Sequence, residues 1–259
     1  MINSMYIGAS GLVSHQQGVD TVSNNLVNMN TAAFKKARVS FKDIYSSEIS
    51  KAERADGDDA AQRMTPSGVA VSGTQRIFSE GEYKSTGNTL DWVIRGTGFF
   101  EVLLPDGSSA FTRDGQLHVS PEGLLVTAEG YPLSQNIEIP EGASDLSIDA
   151  SGVIRARLDG ETTTQEIAQL ELARFTNPAD LRALGGSLFV ATDKSGEARI
   201  GKPGEDGIGS VAQGFIESSN VQLSDELLSL MVAQRGYEAS SKVIQASDEI
   251  LGIVNNLRR

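Results

Sequence analysis

The sequence predicts an α+β protein in which long N- and C-terminal helices form a coiled-coil-like assembly domain, with a central antiparallel all-β domain between them. Three observations predict it. Near the C-terminus Leu223, Leu230, Tyr237, Ile244 and Leu251 fall seven residues apart without a break, the spacing of a helical seam. Near the N-terminus Met5, Leu12, Val19 and Leu26 repeat at the same interval. Between the two, short apolar or alternating runs are cut by Asp106-Gly107, Asp114-Gly115, Glu122-Gly123, Glu129-Gly130 and Asp159-Gly160, turn dipeptides that punctuate antiparallel strands.

Residues 1–45 read as an N-terminal helical assembly segment whose helix covers 3–30, with Ala9, Val22 and Met29 widening the apolar line. Its surface is unusual, because Asp20 is the only acid or base among residues 1–34. Gly8, Gly11 and Gly18 each cost about 1 kcal/mol relative to alanine inside a helix, so the segment is not expected to be stable alone. Small uncharged residues all round suit either a helix enclosed by other helices after assembly or one lying on its own domain. After Phe34, the run Lys35, Lys36, Arg38 and Lys42 reads as a solvated basic face at the helix end. Residues 46–68, poor in large apolar side chains and ending in Pro66-Ser67-Gly68, read as an extended connector. Asp56, Asp58 and Asp59 lack the spacing and closing glutamate of a calcium loop.

The central domain is placed at 69–216. Strands are expected at 90–94, 99–104, 110–112, 124–127, 137–139, 169–175 and 188–191. A short helix is expected between Asn177-Pro178 and Gly185-Gly186, a cap followed by a first-turn proline and closed by glycine. The run from Gly201 to Gly209 reads as a loop, and Val211 to Ile216 leads into a second helical assembly segment at 217–259. There Ser219 to Gln222 suggests a capping box, Asp225 and Glu226 suit the helix start, and Arg258 and Arg259 suit its end. Leu227, Leu228, Met231, Val232, Ile253 and Val254 widen the apolar stripe beyond a two-helix seam, and Val243, Ile250 and Leu257 run beside it. The helix therefore calls for more than one partner, the first being the N-terminal helix in an antiparallel pair.

A chain of 259 residues with 39% hydrophobic content can bury a real core. Its net charge of -12 argues against nucleic acid or an anionic membrane as partner. Cysteine is absent, which removes disulfides, thiolate metal sites and thiol nucleophiles. The N-terminus has no basic region followed by an apolar run, so neither a cleavable signal peptide nor direct membrane insertion is expected. His15 and His118 lack partners at metal-ligand spacing and read as packing or surface residues. Gly96-Thr97-Gly98 lacks the third glycine and the following helix of a dinucleotide fingerprint. Trp92 is explained by packing. No catalytic, cofactor or metal site is expected.

Three blocks resemble the bacterial flagellar axial proteins that build the rod and hook, and together they span nearly the whole chain: SNNLVNMNTAAFKK (23–36), RGTGFFEVLLPDGSSAFTRDGQLHVSPEGLLVTAEGYPL (95–133) and GFIESSNVQLSDELLSLMVAQRGYEASSKVIQASDEIL (214–251). The matching positions are Asn24, Asn25, Leu26, Thr31, Phe34 and Lys35 in the first. In the second they are Gly96, Gly98, Phe99, Phe100, Asp106, Gly107, Thr112, Arg113 and Gly115. In the third they are Ser219, Asn220, Val221, Arg235, Tyr237 and Glu238. Departures are Ala33 where the family usually has glycine, Ser218-Ser219 for the more usual Thr-Ser, and Gly236 where alanine is common. Length and the 46–68 segment resemble the distal rod type more than the longer hook protein or the proximal rod type.

The resemblance implies a non-enzymatic subunit, exported unfolded through the flagellar export apparatus without signal cleavage. It further implies head-to-tail polymerisation into a tubular drive shaft that spans the periplasm between proximal rod and hook, within the surrounding ring proteins of the basal body. The self-assembly seam would be Met5, Leu12, Val19, Val22, Leu26 and Met29 with Leu223, Leu227, Leu230, Tyr237, Ile244 and Leu251. Two other readings compete: a proximal rod subunit, and a β-rich extracellular enzyme or adhesin on a coiled-coil stalk. The seam predicts that Leu230→Asp or Ile244→Asp stops rod assembly, because a carboxylate would be forced between helices at a cost of several kcal/mol, whereas Glu238→Gln is mild. Electron microscopy of basal bodies and motility assays check this, and normal rods in cells exporting Ile244→Asp would contradict it.

Overall fold

The computed structural model describes residues 2–47, 64–140, 142–158 and 163–257. The chain forms two units, one from Met1–Val27, Ala37–Gln75 and Gln222–Arg259 and the other from Asn28–Lys36 and Arg76–Val221.

The first unit contains helix α1 (Ile2–Val27), strands β1 (Ala37–Ser47) and β2 (Met64–Arg76), which pair with each other, and helix α2, described below as Leu223–Leu257. The helices run antiparallel, as their contacts show. A Cβ added to Gly8 would lie 2.8 Å from Ile244, one on Gly11 2.8 Å from Ser240 and one on Gly18 3.7 Å from Ala233, while Asn25 bonds Glu226 at 3.1 Å. Each advance along α1 is matched by a retreat along α2. The face of α1 turned to α2 is thus a glycine line, where backbones approach closely, and the apolar line of Met5, Leu12, Val19, Val22 and Leu26 beside it is only half-buried.

Two expectations for this unit are corrected. The helical reading does not extend to residue 45, since the β-branched and aromatic residues Val39, Phe41, Ile44 and Tyr45 favour strand β1. Residues 64–68, expected in a connector, belong to β2, whose Val69 N–H donates to Ser10 Oγ at 3.2 Å. Asp56, Asp58 and Asp59 lie outside the described residues.

The second unit is antiparallel β throughout. Strands β3 (Tyr83–Ser85), β4 (Trp92–Arg95), β5 (Phe100–Leu103), β6 (Ser109–Thr112), β7 (Leu117–Val119) and β8 (Leu125–Thr127) come first. Next are β9 (Ala143–Ile148), β10 (Val153–Leu158), β11 (Thr164–Gln169) and β12 (Leu172–Arg174). The rest are β13 (Arg182–Gly185), β14 (Leu188–Val190), β15 (Arg199–Gly201), β16 (Ser210–Gln213) and β17 (Phe215–Glu217). The largest sheet has the order β13-β14-β6-β5, and β11-β10-β9 forms a three-stranded sheet. Adjacent residues in the large sheet enter different cores. Phe100, Ala110 and Leu188 join Trp92, Ile94, Leu125 and Ile154 in one, and Phe99, Phe111 and Phe189 join Phe175 and Leu181 in another. Both faces are covered, so these strands read as unbroken apolar runs rather than alternating ones. The second core is aromatic, with edge-to-face pairs such as Phe111–Phe175 at 4.8 Å and Phe78–Phe189 at 5.0 Å.

The expected helix after Asn177 is also corrected. A 3-10 turn covers Pro178–Asp180 only, and Arg182–Gly185 is strand β13. Its glycines turn the chain instead, since Gly185 and Gly186 have φ of 106° and 56° and lead into β14. The C-terminal helix starts at Leu223 rather than Glu217, and no capping box forms, because Ser219 Oγ accepts from Val221 N–H.

Gly236 is explained by His15, whose ring atoms would lie 2.4–2.6 Å from an added Cβ. In place of the gain of about 1 kcal/mol expected from helix propensity, Gly236→Ala should be destabilising until His15 is also shortened. In a double-mutant cycle read by urea unfolding, His15→Ala is expected to restore the gain. Additive single effects would show that the ring is not held against Gly236.

Candidate assembly surface and buried charge network

In the β unit three distant segments meet at one carboxylate. Glu217, at the end of β17, receives Lys35 Nζ at 2.6 Å on Oε1 and Arg113 Nε at 2.8 Å on Oε2, and all three side chains are almost wholly out of solvent. Gly81 N–H adds a third donor, at 3.0 Å. Both cations make further bonds to backbone carbonyls. Lys35 donates to the Ser79 carbonyl at 2.7 Å, and the Arg113 guanidinium to the carbonyls of Gly96, Gly98 and Ile94 at 3.0–3.1 Å. Burial pulls the Lys35 ammonium below its ordinary value. For Glu217 burial pushes the other way, but the charges of Arg113 and Lys35 outweigh it and hold the carboxyl below the ordinary range. Lys35 is therefore not part of a solvated face. Its partner lies 182 residues away, which no local pattern signals.

The surfaces expected to drive assembly lie in the helical unit. Leu230, Ile244 and Leu251 are half-buried, and Ile244 already packs on Gly8 of its own chain. Leu223, Leu227 and Tyr237 are exposed, as are Leu228, Met231, Val232, Val243, Ile250, Ile253, Val254 and Leu257. Most of the large apolar side chains of α2 thus stay exposed among the described residues. Such a contiguous patch marks an interaction surface. No helix among the described residues is long and apolar enough to cross a membrane, and no group of metal-ligating residues occurs among them.

Three families match the chain: "Flagella basal body rod protein" over residues 5–35, "Flagellar hook protein FlgE/F/G D1 domain" over 93–156 and "Flagellar basal body rod FlgEFG protein C-terminal" over 212–257. The flagellar basal-body rod protein FlgG of Borreliella burgdorferi is 39% identical, with all of both chains covered. That of Bacillus subtilis is also 39% identical over the whole of both, and that of Caulobacter vibrioides 37% over 99% of this chain and 100% of the other. The chain belongs to the FlgG family of flagellar basal-body rod proteins. It is a structural rod protein, not an enzyme.

The motif residues of this FlgG-family chain now have physical roles. Asn25 is buried and clamps Ala37 through both its N–H and C=O groups, at 2.9 Å each, while its amide also reaches Glu226. Asn24 is exposed, Leu26 and Met29 are half-buried, and Thr31 closes a turn by accepting from Phe34 N–H at 3.3 Å. Phe34 lies under the Arg76 guanidinium, 5.2 Å from ring centre to carbon. Ala33, the departure from glycine, has φ of 55° and is buried, so the alanine bears a left-handed strain of about 1–2 kcal/mol. Phe99 and Phe100 point into the two cores, and Gly96 and Gly98 offer their carbonyls to Arg113. Asp106 accepts from Ser108 N–H at 2.9 Å beside Gly107, whose φ is 82°, to turn β5 into β6.

Thr112 Oγ1 donates to the Ser187 carbonyl at 3.0 Å. Gly115 is obligatory, since a Cβ there would lie 1.6 Å from the Trp92 carbonyl oxygen. Asn220 ties three strands' ends, accepting from Lys36 N–H at 2.8 Å and donating to the Ile77 carbonyl at 2.7 Å; Val221 follows it. Arg235 and Glu238 form an exposed pair at 3.1 Å, worth little. Glu217 and Asn220's partners were the residues that sequence reasoning passed over.

Glu217→Gln leaves Lys35 and Arg113 buried without a counter-charge and should cost about 3–5 kcal/mol. The effect depends on pH. A folded-state value below the unfolded one means that the Glu217 contribution is complete above the ordinary carboxylate range and disappears as pH falls through the folded value. Asp114 acts in the opposite sense, because burial pushes its carboxyl up to about 6. Urea unfolding of both proteins from pH 7 to pH 3 should show the difference between them shrinking in acid, and a constant difference would contradict the assignment.

Proposed function

We propose that the chain is the distal rod subunit, polymerised head to tail into a helical tube that transmits torque from the motor to the hook. The exposed apolar stripe of α2 supports this reading. Burial of apolar surface contributes about 25 cal/mol per Å², and a helix paired on one side only leaves most of that gain for neighbouring subunits. In the polymer the terminal helices form coiled-coil-like contacts with those of other copies. Such a heterologous contact repeats without closing, which is how a filament forms.

Its neighbours are then proximal rod subunits on one side and hook subunits on the other, within the rings of the basal body. Export through the flagellar apparatus without signal cleavage accounts for a periplasm-spanning location. The net charge of -12 argues against a nucleic-acid or anionic-membrane partner.

Because Ile244 packs on Gly8 within one chain, a substitution there tests both the helix pair and the polymer. Leu228 and Val232, 59% and 63% exposed, separate the two. Leu228→Asp and Val232→Asp should change the stability of the purified subunit by no more than about 0.5 kcal/mol and still prevent rods from forming in cells that export the protein normally. Rods and hooks of normal length on electron micrographs would refute the role of this stripe.

A further inference from the structure

In the β unit one hydrogen-bonded ladder runs from an exposed strand at one end to a groove at the other. The ladder begins at β13, which among the described residues pairs only with β14 and whose four residues are all exposed. It passes through β14, β6 and β5 and continues into residues 132–134, where Leu103 N–H donates to the Pro132 carbonyl and Ser134 N–H to the Glu101 carbonyl, both at 2.9 Å. From there Leu133 N–H reaches the Leu125 carbonyl at 3.2 Å, Leu125 N–H the Ile137 carbonyl at 3.1 Å, and Ile139 N–H the Gly123 carbonyl at 2.8 Å. At this far end a groove is lined by Val119, Pro121, Glu122, Ile137, Glu138 and Ile139.

The groove is apolar at its base and anionic at its rim. Glu122 and Glu138 are exposed, and Val119 is 43% exposed. From Gly96 to Ile154 the only lysine or arginine is Arg113, which is buried against Glu217, so no cation from this stretch offsets the rim. Gln135 also lines the groove, and its buried Oε1 has no hydrogen-bond partner among the described residues. The edge at β13 has the complementary chemistry: an arginine, Arg182, and, two residues on at an irregularity between Ala183 and Gly185, an apolar side chain, Leu184, 49% exposed.

We infer that the β13 edge of one copy docks in the 119–140 groove of the next, with Leu184 against Val119 and the half-buried Ile139 and Arg182 between Glu122 and Glu138. This rests on the polymer reading and names the contact between its β units. Unlike surfaces at opposite ends of a ladder generate a head-to-tail contact, and an unpaired strand edge is the usual template for such docking. The opposite charges fix orientation and register more than they add affinity.

Because the chain contains no cysteine, disulfide trapping is clean. Full-length chain carrying both Val119→Cys and Leu184→Cys is expressed in cells that build rods from it, and isolated basal bodies are oxidised and run under non-reducing conditions. A ladder of covalent multimers extending beyond dimer is expected for the double variant, and none beyond dimer for either single variant. Rods that form normally with both cysteines and give no ladder would overturn the contact. As a second measurement, Glu138→Lys and Arg182→Glu should each shorten or abolish rods, and the two together should restore them at least tenfold in number. Normal rods from each single variant would also overturn it. Absence of the wild-type chain from basal bodies would be a different failure, that of the polymer reading itself, and the contact would fall with it.

Discussion

Everything in the β unit hangs from the Glu217 carboxylate. It is buried, so its charge would be intolerable without cations, and the two that it draws in come from the segment after α1 and from the end of β6. Satisfying one side chain therefore fixes the path of three pieces of chain. The arrangement is a costly one, since apolar side chains of similar volume often serve stability as well or better. What charges offer in its place is specificity, because Lys35, Arg113, Gly81 and four carbonyls must all be placed together to make these bonds. A piece cut at 69–216 would lack both Lys35 and Glu217 and leave Arg113 buried beside carbonyls alone. The compact β unit is made of Asn28–Lys36 and Arg76–Val221.

The helical unit is built on the opposite principle. Glycines and small side chains bring α1 and α2 together, which makes a close but thin contact, and large apolar side chains are left outside. A helix pair of this kind is under-stabilised within one subunit. Its missing stability is to come from neighbours, so folding of the ends and assembly are one event in the proposed polymer, while the charge-clamped β unit does not wait for it.

Legibility followed the range of the signal. The seven-residue repeat from Leu223 onward and the turn dipeptides at Asp106-Gly107 and Glu122-Gly123 are local, and α2, β5, β6 and β8 stand where they indicate. Lys35 was hidden by its neighbours, since a lysine beside Lys36 and Arg38 looks solvated and its counter-charge is far along the chain. Asn177-Pro178 followed by a paired glycine is a sound helix signal, overridden because Phe189 and Leu188 pair with β6 and draw Arg182–Gly185 into the sheet. Strands β9 to β11, rich in polar residues, carry too little apolar pattern to be seen. Against α1 the structure places Ile244 together with Glu226, Ala233 and Ser240, a line too small and polar to register as a seam.

Amide hydrogen exchange on the same full-length chain, as monomer and as polymer, tests the separation of the two units most directly. The account predicts strong protection of Trp92–Arg95 and Phe100–Leu103 in both states, with protection of Leu223–Leu257 appearing only in the polymer. Equal, strong protection of Leu223–Leu257 in the monomer would contradict it.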